Sequence, residues 1–136
     1  MSRENVEIVR RVYDAAARRD ADAAFELYAE DIVWDVSATK VTTFRDRPVY
    51  HGHEGVREVW REGLAIFADI TNEVEEMIDA GDRVLVVVRE REVGRSSGVP
   101  VTASHLAVWT LARGMIVRLQ VFDDRDEAMK AAGLAG

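Results

Sequence analysis

A chain of 136 residues without cysteine excludes disulfides, thiolate chemistry and cysteine-ligated metal centres, and its length suits one domain over residues 1–136. Hydrophobic residues make up 48% and charged ones 32%, a globular balance rather than a disordered one. The net charge of −7, with Lys and Arg interleaved among acids, argues against nucleic acid as a partner.

The opening Met-Ser-Arg-Glu-Asn-Val holds no apolar stretch of signal-peptide type. No later run approaches the roughly 20 apolar residues of a membrane span. A cytoplasmic protein without membrane contact is therefore expected. Residues 3–19 predict an amphipathic helix, with cap chemistry at Ser2 and Asn5 and a stripe of Val6, Val9, Val12, Tyr13, Ala16 and Ala17. Asp20 or Asp22 can cap a second, short helix in which Ala24, Leu27 and Tyr28 share a face, ended by Ala29-Glu30-Asp31.

Ile32 to Val36 is β-branched and aromatic and reads as a strand containing one acid, Asp35. Residues 37–49 lack a clear period and read as a loop, with an extended piece at Lys40 to Phe44. A third helix is expected over 53–67, framed by Gly52 and Gly55, with Val56, Val59, Trp60, Gly63, Leu64 and Phe67 as its stripe. Asp69 to Asp79 alternates, with Ile70, Val74 and Ile78 on one face and Glu73, Glu75, Met77 and Asp79 on the other. Three apolar strands follow, from Arg83 to Val93, Val101 to Leu111 and Met115 to Phe122, joined by short turns. Asp123-Asp124 can cap a last helix, Arg125 to Ala132, stopped by Gly133.

Consecutive strands with short turns mean an antiparallel sheet, and helices grouped ahead of it mean an α+β fold. Such a sheet, curled with its concave side covered by three amphipathic helices, forms a cone with an apolar interior. Alternation in the middle strand sets His105, Ala107, Trp109 and Leu111 on one face. On the concave wall His105 would serve as a general base or a hydrogen-bond donor; the competing reading is a histidine satisfied in the core or at a subunit interface. Asp35 is the acid in the first strand and would gain a raised pKa if buried at the mouth, but strict alternation points Trp34 and Val36 inward and requires a bulge to turn Asp35 in.

Tyr13 sits in the centre of the first helix's stripe, where its hydroxyl reaches the cavity or its ring is simply core. Trp34, Trp60 and Trp109 read as apolar wall. In Arg89-Glu90-Arg91-Glu92 one alternate pair shares the inner direction; the pair is a solvated rim, or Arg89 turns inward to bridge Asp35. His51 and His53 lack a matching ligand cluster and are assigned to the turn and cap of the third helix, so no metal is expected. No Gly-rich phosphate loop or Gly-x-Ser-x-Gly occurs, and no cofactor is expected.

The element order resembles the NTF2-like cone fold, in particular its SnoaL-like branch, which includes ketosteroid isomerases and polyketide cyclases. The resemblance is carried by Phe25 to Asp35, Tyr50 to Trp60, Val108 to Arg118 and Asp124 to Gly133. Ketosteroid isomerases use a first-helix Tyr and a protonated Asp as oxyanion donors and a second Asp as base. Aligning on Tyr28 to Asp31 sets Val12 at the Tyr position beside Tyr13, and Val36 at the base position beside Asp35. The oxyanion Asp falls near Ser104 to Ala107, where no acid stands. The cyclases' Asp on the last strand falls at Val121, with Asp123 two residues on.

The resemblance thus implies a cone whose cavity takes a hydrophobic small molecule, with Tyr13, Trp34, Trp109, Val12, Val121 and Arg89 around it. His105 and Asp35 would carry cofactor-free isomerisation, cyclisation, dehydration or hydrolysis. The alternatives are a non-catalytic binding protein or an association module. A homodimer would use the outer sheet face, at Arg118 and Gln120 beside Val108 and Phe122.

Overall fold

The three apolar runs from Arg83 onward do become consecutive strands, and the computed structural model shows what surrounds them; it describes residues 2–40 and 47–134. The elements are α1 (Ser2–Ala17), α2 (Ala21–Phe25), β1 (Tyr28–Asp35), β2 (Val49–His51), α3 (Gly52–Ile66), β3 (Phe67–Ala80), β4 (Arg83–Gly94), β5 (Pro100–Ala112), β6 (Met115–Phe122) and α4 (Arg125–Ala131). The sheet order is β2-β1-β6-β5-β4-β3. Strand β1 runs parallel to β6, and every other neighbour pair is antiparallel. The parallel pair is possible because α3 and β3–β5 supply the long crossover that parallel neighbours need. The fold is the expected α+β one, with a mixed, mostly antiparallel sheet.

Helix α1 buries Val9, Val12 and Ala15, and α3 buries Gly55, Val56, Val59 and Gly63. They pack on the sheet's concave side, α1 over β3 and β4 and α3 over β1, β2 and β3. Between them α2 is a single short stretch, capped by the Asp20 side chain accepting from the Ala23 amide. The inner rows meet in one core, including Ile32 of β1, Val84, Val86 and Val88 of β4, Trp109 and Leu111 of β5, and Ile116 and Leu119 of β6. Glycine is required at two junctions. The β5–β6 turn uses Arg113 at φ 53° and Gly114 at φ 77°, the pair of left-handed residues that matches the twist of a two-residue hairpin. Gly52 opens α3 at φ +71°, where an added Cβ would lie 3.2 Å from the Glu30 carbonyl oxygen.

Several expectations change. Helix α2 stops at Phe25, so Tyr28 begins β1 instead of closing a helix. The loop expected over 37–49 ends in the short strand β2, which pairs Val49, Tyr50 and His51 with Asp35, Trp34 and Val33. The extended piece expected at 40–44 lies, beyond Lys40, outside the described residues. In β3 a bulge between Val74 and Glu76 flips the alternation. Met77 therefore joins the inner core, while Ile78 packs on the outer side with Leu85. That outer side is also partly closed. Ala128 and Ala132 of the tail cover Leu106, Val108 and Phe122, so two residues expected at a dimer surface are buried inside the chain. No helix among the described residues is long and apolar enough to cross a membrane.

Candidate functional site

The inner faces of β1, β3, β4, β5 and β6, together with α1 and α3, enclose a cavity of about 430 Å³. Five strands share one cavity only because the sheet curls around it. The volume falls within the roughly 300–1,000 Å³ of small-molecule sites. Of the residues expected around it, Val12, Tyr13, Trp34, His105, Trp109 and Val121 all line it, joined by Tyr28, Trp60, Ala107 and Leu119.

Trp109 is the hub of the aromatic wall. Tyr13 and Trp34 meet it edge-on at 5.7 and 5.9 Å between centroids, and Tyr28 lies parallel to it at 6.4 Å. Its indole N–H donates to the Tyr13 hydroxyl oxygen at 3.0 Å. Tyr28 is fully packed, at 2% exposure. Phe25 and Trp34 both meet its ring edge-on, and its backbone carbonyl accepts from His53 Nε2 at 3.0 Å. A carbonyl can only accept, so that nitrogen of His53 carries the proton. Burial pushes the phenols of Tyr13 and Tyr28 well above their ordinary range; for Tyr13 the Trp109 hydrogen bond opposes this. Both stay protonated, so each keeps a proton it could donate.

His105 stands opposite Val88 of β4 and lines the cavity. Burial pushes its imidazole below the ordinary value, against the pull of Asp123 and Glu92. At neutral pH it is an uncharged base, and among the described residues it makes no hydrogen bond. Along β5 it lies four residues from Trp109, about 13 Å at strand spacing. Between them Ala107 leaves the wall open. Of the alternating quartet on β4, Glu90 and Glu92 face inward and line the cavity with Asn72 and Thr39. Asp123 is held at the rim by the Thr39 hydroxyl at 2.5 Å and the Lys40 amide at 2.8 Å.

Two expected residues are elsewhere. The irregularity in β1 falls between Tyr28 and Val33, so nothing turns Asp35 inward and plain alternation holds. Asp35 accepts from the Ser37 amide at 2.9 Å, the Ser37 hydroxyl at 2.6 Å and Arg118 at 3.1 Å on the outer side. Burial works to raise its carboxyl, but Ser37 and Arg118 outweigh it and hold the pKa below the usual value. Arg89 also faces out, opposite Ser104, with its guanidinium 3.4 Å from Glu75 and not on Asp35. No group of three metal-ligating side chains forms among the described residues. The residue that sequence reading missed is Tyr28, assigned to a helix face. The sequence signal was the continuity of Tyr28 to Asp35, an alternation with apolar Tyr28, Ile32 and Trp34 in step.

A family model described as a SnoaL-like domain matches residues 9–119. No curated protein matches the chain. Among solved structures it is similar to an NTF2-like protein of unknown function from Burkholderia pseudomallei, with 24% identity, a TM-score of 0.79, and 93% of this chain and 95% of that one covered. It is similar too to an NTF2-like protein from Burkholderia thailandensis, with 27% identity, a TM-score of 0.76 and 95% of each chain covered. A third, TerC co-crystallised with polyporic acid, shares 19% identity at a TM-score of 0.79 over 96% of this chain and 98% of that one.

Proposed function

The chain belongs to the SnoaL-like domain family, and on that premise we propose that it binds a flat, largely apolar small molecule in its cavity and moves a proton on it, with His105 as the base. The observation that carries this is an uncharged imidazole without a hydrogen-bond partner among the described residues, on the wall of a cavity of about 430 Å³. Val12, Trp34, Trp109 and Val121 form the apolar walls, and Tyr13 supplies a hydroxyl. That TerC, a protein of the same fold, was co-crystallised with polyporic acid supports a small-molecule ligand for this chain. Proton transfer by one side chain serves isomerisation, cyclisation, dehydration or epoxide opening without a cofactor. Asp35, turned outward, has no part in it.

Deuterium exchange into the enolisable ketone 2-tetralone, followed by NMR in heavy water, tests the base. Exchange above background should drop by about 10²-fold in His105→Gln. Equal exchange in wild type and variant, with the ketone still bound, would favour the second reading, a non-catalytic binding protein.

For the outer sheet face the partner we propose is a second copy of this chain. The tail helix leaves a shallow groove along Val33, Thr110, Val117, Arg118 and Gln120, a mixed apolar and polar lining that supports this choice. Light scattering at micromolar concentration should give twice the chain mass, and Gln120→Arg should return it to a monomer. A monomeric wild type would sink this assignment.

A further inference from the structure

Resting on that reading of the cavity, we propose that its ligand carries a positive charge, a protonated or quaternary amine, seated beside Glu90 and Glu92 with the apolar body running along β5 toward Trp109. Register sets the sign of the charge inside. In Arg89-Glu90-Arg91-Glu92 the alternation puts both carboxylates into the lining and keeps both arginines out of it; a slip of one residue would have reversed this. No cation of the lining offsets the choice. Arg19 is bonded to Asp69, and Asp20 adds a third carboxylate. The negative field reaches along the cavity: Glu90 acts on the Tyr13 hydroxyl, and Glu92 and Asp123 act on the uncharged His105.

Strand pairing fixes where the charged head sits. Val88 stands opposite His105 and Glu90 opposite Ala103, so Glu90 lies one alternate step, about 7 Å, beyond the imidazole's row. Trp109 lies four residues the other way. A cationic head at the carboxylates therefore leaves the ligand's body across His105 and the open wall at Ala107. On β3 Asn72 stands opposite Glu90 and Ile70 opposite Glu92, and both line the cavity, so the head meets an amide and an apolar side chain but no base. Glu92 is half-buried and makes no hydrogen bond or ion pair among the described residues. A carboxylate drawn partly out of water gains from a counter-charge, and aromatic ring faces attract the same cation. A separate mark of a ligand site on this lining is the Tyr28 hydroxyl, without a partner among the described residues on a side chain that is 2% exposed.

The test compares benzyltrimethylammonium with neopentylbenzene, the same shape with carbon in place of the charged nitrogen, by titration of tryptophan fluorescence. An uncharged apolar cavity would favour the hydrocarbon. Wild type should instead prefer the ammonium compound by about tenfold. Glu92→Gln should shrink that preference, and Glu90→Gln with Glu92→Gln should turn it toward the hydrocarbon, whose own affinity stays level. Arg89→Gln, on the outer side of the same strand, should leave the ratio as in wild type. A wild type that binds the hydrocarbon as well as or better than the ammonium compound would overturn the charge assignment and leave the cavity reading standing. So would an ammonium preference that survives the double substitution. If neither compound binds, the cavity reading falls and takes the charge assignment with it.

Discussion

At Tyr28 the contribution of a single buried atom to stability can be measured by itself. Because its hydroxyl has no protein partner among the described residues while its ring is core, Tyr28→Phe removes an unpaired polar group and no packing. Stability should stay level or rise by up to about 1 kcal/mol, whereas a hydroxyl bonded within the protein would cost about 1–3 kcal/mol on removal; urea denaturation distinguishes the two. Asp35 behaves in the opposite way. Its carboxyl titrates below the usual value, so its contribution is present above the unfolded-state pKa and is lost as pH falls through the folded one. Arg118 is half-exposed, which limits its share to less than about 1 kcal/mol. Arg118→Gln should thus lose a little stability at pH 7 and decline less steeply into acid than wild type. For His105 the folded pKa lies below the unfolded one. The stability tied to its neutral form is present above the ordinary imidazole value and is lost as pH falls through the folded value. The acid limb of any exchange activity should therefore lie below the pH of free imidazole titration.

At the scale of elements, short distortions decide which residues meet. The bulge in β3 swaps Met77 into the core and sends Ile78 to the other side, so one extra residue re-sorts half a strand. The tail helix α4 closes the outer cluster with Ala128, which is fully buried. Ala128→Glu would force a carboxylate into that cluster and should cost about 3 kcal/mol by urea denaturation. A cost within about 0.5 kcal/mol would mean that α4 does not seal this face.

For the molecule as a whole, the curl of the sheet creates the cavity and the helices α1 and α3 stop it from collapsing. Ala107 lies on the wall between His105 and Trp109. Ala107→Leu should project into the empty volume and cost no more than about 1 kcal/mol, yet abolish binding of 2-tetralone. Calorimetry and fluorescence titration on one sample check both. A variant that binds as wild type does would move the ligand site away from this wall.

Element order and the inner face of β5 were legible in the chain itself. A period of two in Met115–Phe122 and Arg83–Val93, or of three and four in α1 and α3, follows from local geometry and from the need to bury one face. That is why His105, Trp109, Tyr13 and Trp34 were found at the cavity. The surroundings of single polar groups were not legible. Asp35 points out because β1 keeps its alternation where a bulge was needed, and Arg89 points out because Glu90 and Glu92 take the inner row. Tyr28 entered the cavity because α2 ends one turn earlier than its composition suggests. These outcomes turn on where a bulge or a helix end falls among near-equal local choices, and the packing of strand on strand and helix on sheet breaks the tie. The sequence alone determined a curved sheet with an apolar, aromatic inner face. Only the tertiary structure decided which few hydroxyls, carboxylates and imidazoles that face presents, because one residue of register moves a side chain from core to solvent.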